Sequence, residues 1–190
     1  ETISDEGVIS AMSKKLEEEF IAKLVDMTNA VRKQQLQALV STTLGEFDAR
    51  VDSKSMEIFT AGKQDMWQQL GQLFNAAIST CFETTKSELN SLAETEEERI
   101  VTKKRILESA QLIIFEKAQR FVEQIPIKLR DRFESLFVYH KGQLRVWKSS
   151  DDPRSIFENA RDECLVMLRA FRTFNLQRHI SPEYVKLLTE

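Results

Sequence analysis

The sequence predicts an all-α protein, an elongated bundle of long antiparallel helices with a short hairpin or extended corner near residues 136–150. Three observations predict it. Gly and Pro, the residues that punctuate chains, number only 5 and 3 in 190 residues. Apolar residues recur at spacings of three and four along most of the chain, the period of one helix face. Between them stand 27 Lys and Arg mixed with 30 Asp and Glu, which reads as solvated helix surface. The net charge of −3 argues against a nucleic-acid partner. No apolar run approaches the ~18 residues a membrane-spanning helix needs.

The first helix is expected from Asp5 to Leu44. Its stripe is Ile9, Met12, Leu16, Phe20, Leu24, Met27 and Val31, with a mean step of about 3.7 residues, nearer a straight helix than a 3.5-residue coiled-coil seam. A helix of that length reaches ~60 Å. Packing inside the bundle is the expected use of this stripe, and self-association the second. Gly45 and the following DARVDSKS mark the expected break.

A second helix is expected over Ser53–Leu92, with Met56, Phe59, Met66, Leu70, Leu73, Phe74, Ala77, Cys81, Leu89 and Leu92 on its apolar face. Gly62 and Gly71 weaken it by ~1 kcal/mol each without ending it. Thr95 and Glu98 form a capping-box pattern that opens a third helix, and its acidic first turn suits the helix dipole. This helix carries Ile100, Leu107, Ala110, Ile114, Ala118, Phe121 and Val122. It is expected to stop before Pro126, because the residue preceding a proline is pushed out of the α region.

A short helix over Lys128–Phe137 leads to the corner. Beyond it, Asp152 is a natural N-cap and Pro153 suits the first helical position. The next helix presents Phe157, Ala160, Cys164, Met167, Leu168, Phe171 and Phe174. Ser181 and Pro182 repeat the same signal for a last helix, which the sequence cuts short. With no Met at its start either, the chain reads as an excerpt of a longer protein.

No catalytic constellation stands out. The AGKQD stretch has Glu57 where a phosphate loop needs its first Gly, and Gln64 where it needs a hydroxyl, so Lys63 reads as a surface lysine on a helix. His140 and His179 are isolated, and zinc needs several clustered ligands. The ETEEE run lacks the spaced oxygens and the Gly of a calcium loop. Cys81 and Cys164 sit in apolar stripes and read as reduced, packed thiols. Catalytic, cofactor-binding and metal residues are therefore expected to be absent from these residues.

The corner carries more information. A two-residue turn at Lys141-Gly142 would set Tyr139 opposite Leu144 and His140 opposite Gln143. Phe137, Tyr139, Leu144 and Val146 then share one face, which a marginal two-stranded hairpin must lay against helices. Trp147 is the expected anchor at the exit, and a buried ring there puts Trp147→Ala at ~3–5 kcal/mol.

The stretch FESLFVYHKGQLRVWKSSDDPRSIFENARDECLVMLRAF resembles a segment of the atlastin-like, Root Hair Defective-type dynamin-superfamily GTPases. The resemblance rests on Arg132-Phe133, Leu136-Phe137, Tyr139, Gly142, Arg145-Val146-Trp147, Asp151-Asp152, Phe157 and Ala160-Arg161; Leu144 stands where that pattern has Pro. It implies that residues 1–190 are a helical stalk, or middle, domain with a mechanical rather than catalytic part. The GTPase domain, with its GTP and Mg, would lie upstream, and a transmembrane hairpin in the endoplasmic reticulum downstream. The implied function is GTP-dependent homotypic fusion of ER membranes and upkeep of the tubular network. The implied partners are the protein's own GTPase domain, a second copy in trans, and the ER membrane on its cytosolic face. Phe137, Tyr139, Gly142, Arg145, Trp147, Asp152 and Pro153 are the expected structural corner. The rival from another class is a non-catalytic spectrin-like or tethering-complex scaffold, which predicts neither flanking module.

Overall fold

A computed structural model describes residues 2–172 and 175–189, with side chains from residue 12 onward. Phe174 and the side chain of Ile9, both assigned to apolar stripes, lie outside the described residues. Five α-helices are present: α1 (Thr2–Ala61), α2 (Met66–Leu92), α3 (Glu96–Phe137), α4 (Pro153–Phe171) and α5 (Pro182–Thr189). A two-stranded hairpin, β1 (Tyr139–His140) and β2 (Gln143–Leu144), separates α3 from α4, and a 3₁₀ turn at Leu176–His179 precedes α5.

The first helix is one unbroken rod of 60 residues, about 90 Å long. The expected break at Gly45 does not occur. Gly45 is exposed on the helix surface with nothing within 4 Å of where its Cβ would stand, so its only penalty is the modest one of a solvated helical glycine. The helix ends instead at Gly62, which adopts φ +55° and donates its N–H to Ile58 O at 3.1 Å, a left-handed C-cap. The second helix accordingly starts at Met66 rather than Ser53, and Lys63 lies in the connecting turn, not on a helix.

Pro126 does not stop α3 either. It and Val122, whose carbonyl loses its partner, both face solvent, so water can satisfy the orphan and the helix runs on to Phe137. The separate short helix expected over 128–137 is its last turns. At the other end, Thr95 Oγ1 accepts from Glu98 N at 3.1 Å as a capping box requires, but the Glu98 carboxylate reaches back to Glu94 N, one residue before the cap.

Helices α1, α2 and α3 run up, down and up around one core. Phe47 meets Phe74 across α1 and α2, and Phe59 meets Phe121 across α1 and α3, with centroids 5.5 and 5.7 Å apart. Helix α4 returns antiparallel along α3 and brings Phe171 to 5.2 Å from Phe121, stacked, and to 5.7 Å from Phe59. Trp67 Nε1 donates to Ala170 O at 2.8 Å and so ties this end of α4 to α2. The 3₁₀ turn and α5 then close over α2 and α3, with Tyr184, Leu187 and Leu188 against the core. Buried Thr43, Thr85 and Thr102 each return their hydroxyl to the carbonyl four residues back, so none leaves a buried polar atom unsatisfied.

Two polar latches set the axial register of the long helices. Lys117 on α3 pairs with Asp48, at 2.8 Å, and with Asp52 on α1. Burial alone would lower its pKa, but the hydrogen bonds to the two carboxylates outweigh this and hold it above the usual value. Arg32 on α1 donates to Leu92 O at 3.2 Å and to Glu98 Oε2 at 2.7 Å, and pairs with Glu94 at 3.2 Å. The Glu94 N–H first, and Arg32 second, hold the Glu98 carboxyl below its ordinary 4.5. A depressed folded-state pKa gives stability that is present at neutral pH and lost as pH falls through that value. Glu98→Gln is therefore expected to lower the unfolding midpoint at neutral pH, with its deficit against the parent closing below pH 4.5. A deficit independent of pH in urea titrations would remove the charge from this latch.

Candidate functional site

Two features stand outside the packed core, one at each end of the molecule. The first is the N-terminal half of α1. Arg32 marks the level of the α2–α3 loop, so among the described residues no other helix lies alongside those before it. Met12, Leu16, Phe20, Leu24, Met27 and Val31 are all exposed, Phe20 by 62%. The expectation that this stripe packs within the bundle is corrected here. At ~100° per residue it points roughly half a turn away from Leu36, Leu39, Val40 and Phe47, which face the bundle, so it is not a continuation of their seam. Ile21 and Val25, also exposed, fall instead in line with Leu36 and Leu39 and carry that seam past the end of the bundle.

The second feature is the corner at the far end of α3. A helix end leaves four carbonyls without helical partners and carries partial negative charge. Helix α3 has no basic residue in its last turn, and Arg145 supplies the missing cation from the hairpin. Its Nε donates to Phe137 O at 3.0 Å, and its Nη2 donates to Leu136 O at 2.9 Å and Tyr139 O at 3.3 Å. The Arg145 N–H also donates to Val138 O at 2.8 Å, and its guanidinium lies 5.6 Å from the Trp147 ring.

The turn itself is tight. Lys141 and Gly142 both adopt positive φ, +52° and +78°, as a type I′ hairpin demands, and the register is Tyr139 opposite Leu144 and His140 opposite Gln143. Phe133, Phe137 and Phe157 form an aromatic cluster with centroids 5.4 to 6.0 Å apart, and Trp147 joins it 5.6 Å from Phe137. Asp152 then caps α4 by accepting from Arg154 N at 3.1 Å, with Pro153 in the first turn.

The hairpin face does not lie against helices as expected. Leu144 is 70% exposed, Val146 80%, Trp147 45% and Tyr139 39%. Only Phe137, on the helix side of the junction, is partly buried, where its ring packs on Phe133 and Phe157. With half its ring in water, Trp147 cannot carry the cost of a buried tryptophan. Trp147→Ala is expected to cost about 2 kcal/mol in urea unfolding, roughly half of full burial. A loss near zero would mean the ring is not an anchor.

The residues weighed for chemistry remain dispersed. His140 is exposed on β1, and His179 packs against α2. Cys81 is buried and Cys164 half-buried, both free, and burial raises both thiols above their ordinary pKa. Among the described residues no group of His, Cys, Asp or Glu could hold a metal ion, and no helix is long and apolar enough to cross a membrane.

The model of one family, described as the Sey1 three-helix bundle domain, matches residues 2–188. Among curated proteins, the chain is 26% identical over 154 residues to Protein SEY1 homolog 2 of Trichomonas vaginalis, covering 80% of the chain and 19% of that protein. It is 27% identical over 167 residues to Protein ROOT HAIR DEFECTIVE 3 homolog 2 of Arabidopsis thaliana, covering 82% and 17%. Against Protein SEY1 of Pyricularia oryzae it is 26% identical over 127 residues, covering 65% and 15%. The chain thus spans less than a fifth of the length of these relatives. No solved structure matches it. A match along nearly the whole chain, on a three-helix bundle of this topology, places it: the chain belongs to the Sey1 three-helix bundle domain family.

Proposed function

We propose that residues 1–190 are the helical stalk of a dynamin-like GTPase that fuses endoplasmic reticulum membranes and maintains their tubular network. The observation that carries this reading is the family match over residues 2–188, in relatives of which the aligned stretch makes up less than a fifth. In that setting the GTPase domain, with GTP and Mg, precedes the chain, and a transmembrane hairpin follows it on the cytosolic side of the ER membrane. The exposed Met12–Val31 stripe suits contact with the protein's own GTPase domain or with a second copy bound in trans.

The mechanical part follows from α1. A single helix about 90 Å long, latched to the bundle at Arg32 and at Asp48 and Asp52, moves as one lever with it. At the opposite end Phe137, Tyr139, Gly142, Arg145, Trp147, Asp152 and Pro153 make the corner that fixes the direction of α4 relative to α3.

The test interrupts the lever without touching the bundle. In the full-length protein reconstituted into vesicles, a Gly-Ser-Gly-Gly insertion after Thr28 is expected to leave GTP hydrolysis in place and abolish lipid mixing. Lipid mixing at the parent rate would overturn the lever. A full-length protein that neither binds GTP nor mixes lipids would overturn the whole reading in favour of a passive scaffold.

A further inference from the structure

The hairpin combines features that packing does not explain. Leu144 and Val146 stand on one face almost fully in solvent, Tyr139 pairs across from Leu144, and Trp147 exposes nearly half its ring just beyond. Such a small apolar tip on a two-stranded hairpin is unfavourable in water unless something covers it. The tip is also held rigid, by positive φ at both turn residues and by the four hydrogen bonds that Arg145 makes to the carbonyls of Leu136, Phe137, Val138 and Tyr139.

Its charges are one-sided. Residues 138–150 contain Lys141, Arg145 and Lys148, and no Asp or Glu, in a chain whose net charge is −3. The acids nearby sit at the base and are engaged there. Asp151 Oδ2 accepts from Lys148 N at 2.9 Å, Asp152 caps α4, and Glu134 lies 4.0 Å from Arg130. A Trp and a Tyr at the margin, aliphatic residues at the tip and lysines around them make up the composition that settles at a bilayer surface. The rings take the headgroup level, the aliphatics enter the acyl boundary, and the cations meet anionic lipid.

We infer that the Tyr139–Trp147 hairpin is a lipid-contact element that docks shallowly on an anionic bilayer surface through Leu144, Val146 and Trp147, with Lys141 and Lys148 supplying the attraction. A protein surface able to cover the same tip would need an acidic, apolar cleft. With Leu144 70% and Val146 80% exposed, the tip stands clear of its own fold and can enter a fluid, deformable layer without a preformed cleft. The inference rests on the hairpin alone and stands whether or not the parent protein is a fusion GTPase.

The test uses the 190-residue chain and vesicles of phosphatidylcholine with or without a third of phosphatidylserine. The chain is expected to sediment with the anionic vesicles and not with the neutral ones, and added salt should release it. Trp67 is buried in the core, so quenching by brominated lipid should report Trp147. Leu144→Ser with Val146→Ser should abolish sedimentation without shifting the thermal midpoint, since both side chains are exposed. Lys141→Asn, which keeps a residue tolerant of positive φ, and Lys148→Gln should each weaken binding by about fivefold. Sedimentation that ignores lipid charge, or that survives the double serine variant, would overturn the inference. So would failure to bind anionic vesicles at low salt, which would leave a protein partner as the cover for the tip.

Discussion

Phe121→Ala is expected to destabilise the bundle by about 3–5 kcal/mol, a large share of what holds a domain of this size together. The ring is 1% exposed and lies where three helices meet, stacked on Phe171 of α4 and tilted against Phe59 of α1. Deleting it removes apolar contact from all three helices and leaves a cavity that they cannot readily close. Arg132 of α3 donates to Ala61 O at 3.1 Å and pairs with Glu163 of α4 at 2.9 Å. Gly62 is already in tight contact with Met167. These contacts fix the helix spacing around the hole, and partial relaxation is what makes such losses large. The control is Phe20→Ala, on the exposed stripe, which is expected to stay within about 0.5 kcal/mol of the parent. Urea unfolding of both variants checks the pair. Equal midpoints for the two would mean that the α1–α3–α4 junction is not the core of the fold.

The contrast between these two phenylalanines also shows what could be read from residue order. Both recur with helical spacing, and periodicity reports that a face is apolar without reporting what covers it. Cover depends on where α2 stops, and so on the Leu92–Glu96 loop and the Arg32 latch, a contact between residues 60 to 66 apart. Local signals fared better where the chemistry is local. Thr95 before an acidic turn, Asp152-Pro153 and Ser181-Pro182 each open a helix, because the capping oxygens of Thr95 and Asp152 and the pre-set φ of Pro153 and Pro182 act within a few residues.

Glycine and proline were harder to read. Gly45, Gly62 and Gly71 look alike in sequence, yet one is solvated helix, one is a left-handed cap and one is a close contact. The run Lys63-Gln64-Asp65 before Met66-Trp67 was the available sign that Gly62, not Gly45, ends the helix. Pro126 misled because its effect depends on which way Val122 O faces, a property of the whole bundle. At the corner, the turn at Lys141-Gly142 was legible from its φ requirement. The exposure of Tyr139 and Trp147 was not, since nothing near them in sequence says whether a helix covers the hairpin.

Gly71→Ala is the second large effect, and its origin is the reverse of a cavity. A Cβ at Gly71 would stand 2.3 Å from His179 Cβ, 2.7 Å from His179 O and 3.1 Å from His179 C. Two of these three atoms are backbone, so no rotamer change relieves the clash and the 3₁₀ turn must lift off α2. Lifting it breaks a second contact. Asn75 Nδ2 donates to His179 O at 3.0 Å, and Asn75 Oδ1 accepts from Ser181 N at 3.0 Å, so one side chain clamps the junction of the 3₁₀ turn and α5. Overpacking of about 1–3 kcal/mol and two hydrogen bonds of about 1 kcal/mol each far exceed the ~1 kcal/mol that Ala gains over Gly in a helix. A net loss of about 2–4 kcal/mol is expected, concentrated in α5, with hydrogen exchange accelerated over 176–189 before the rest of the bundle opens. Gly45→Ala makes the matched comparison, because the same substitution on the solvent face of α1 meets no atom within 4 Å and should stabilise by up to ~1 kcal/mol. Opposite signs at the two glycines are the required result. If Gly71→Ala were neutral, the 3₁₀ turn would not be seated on α2 as described, and α5 would be packed there by its own apolar face alone.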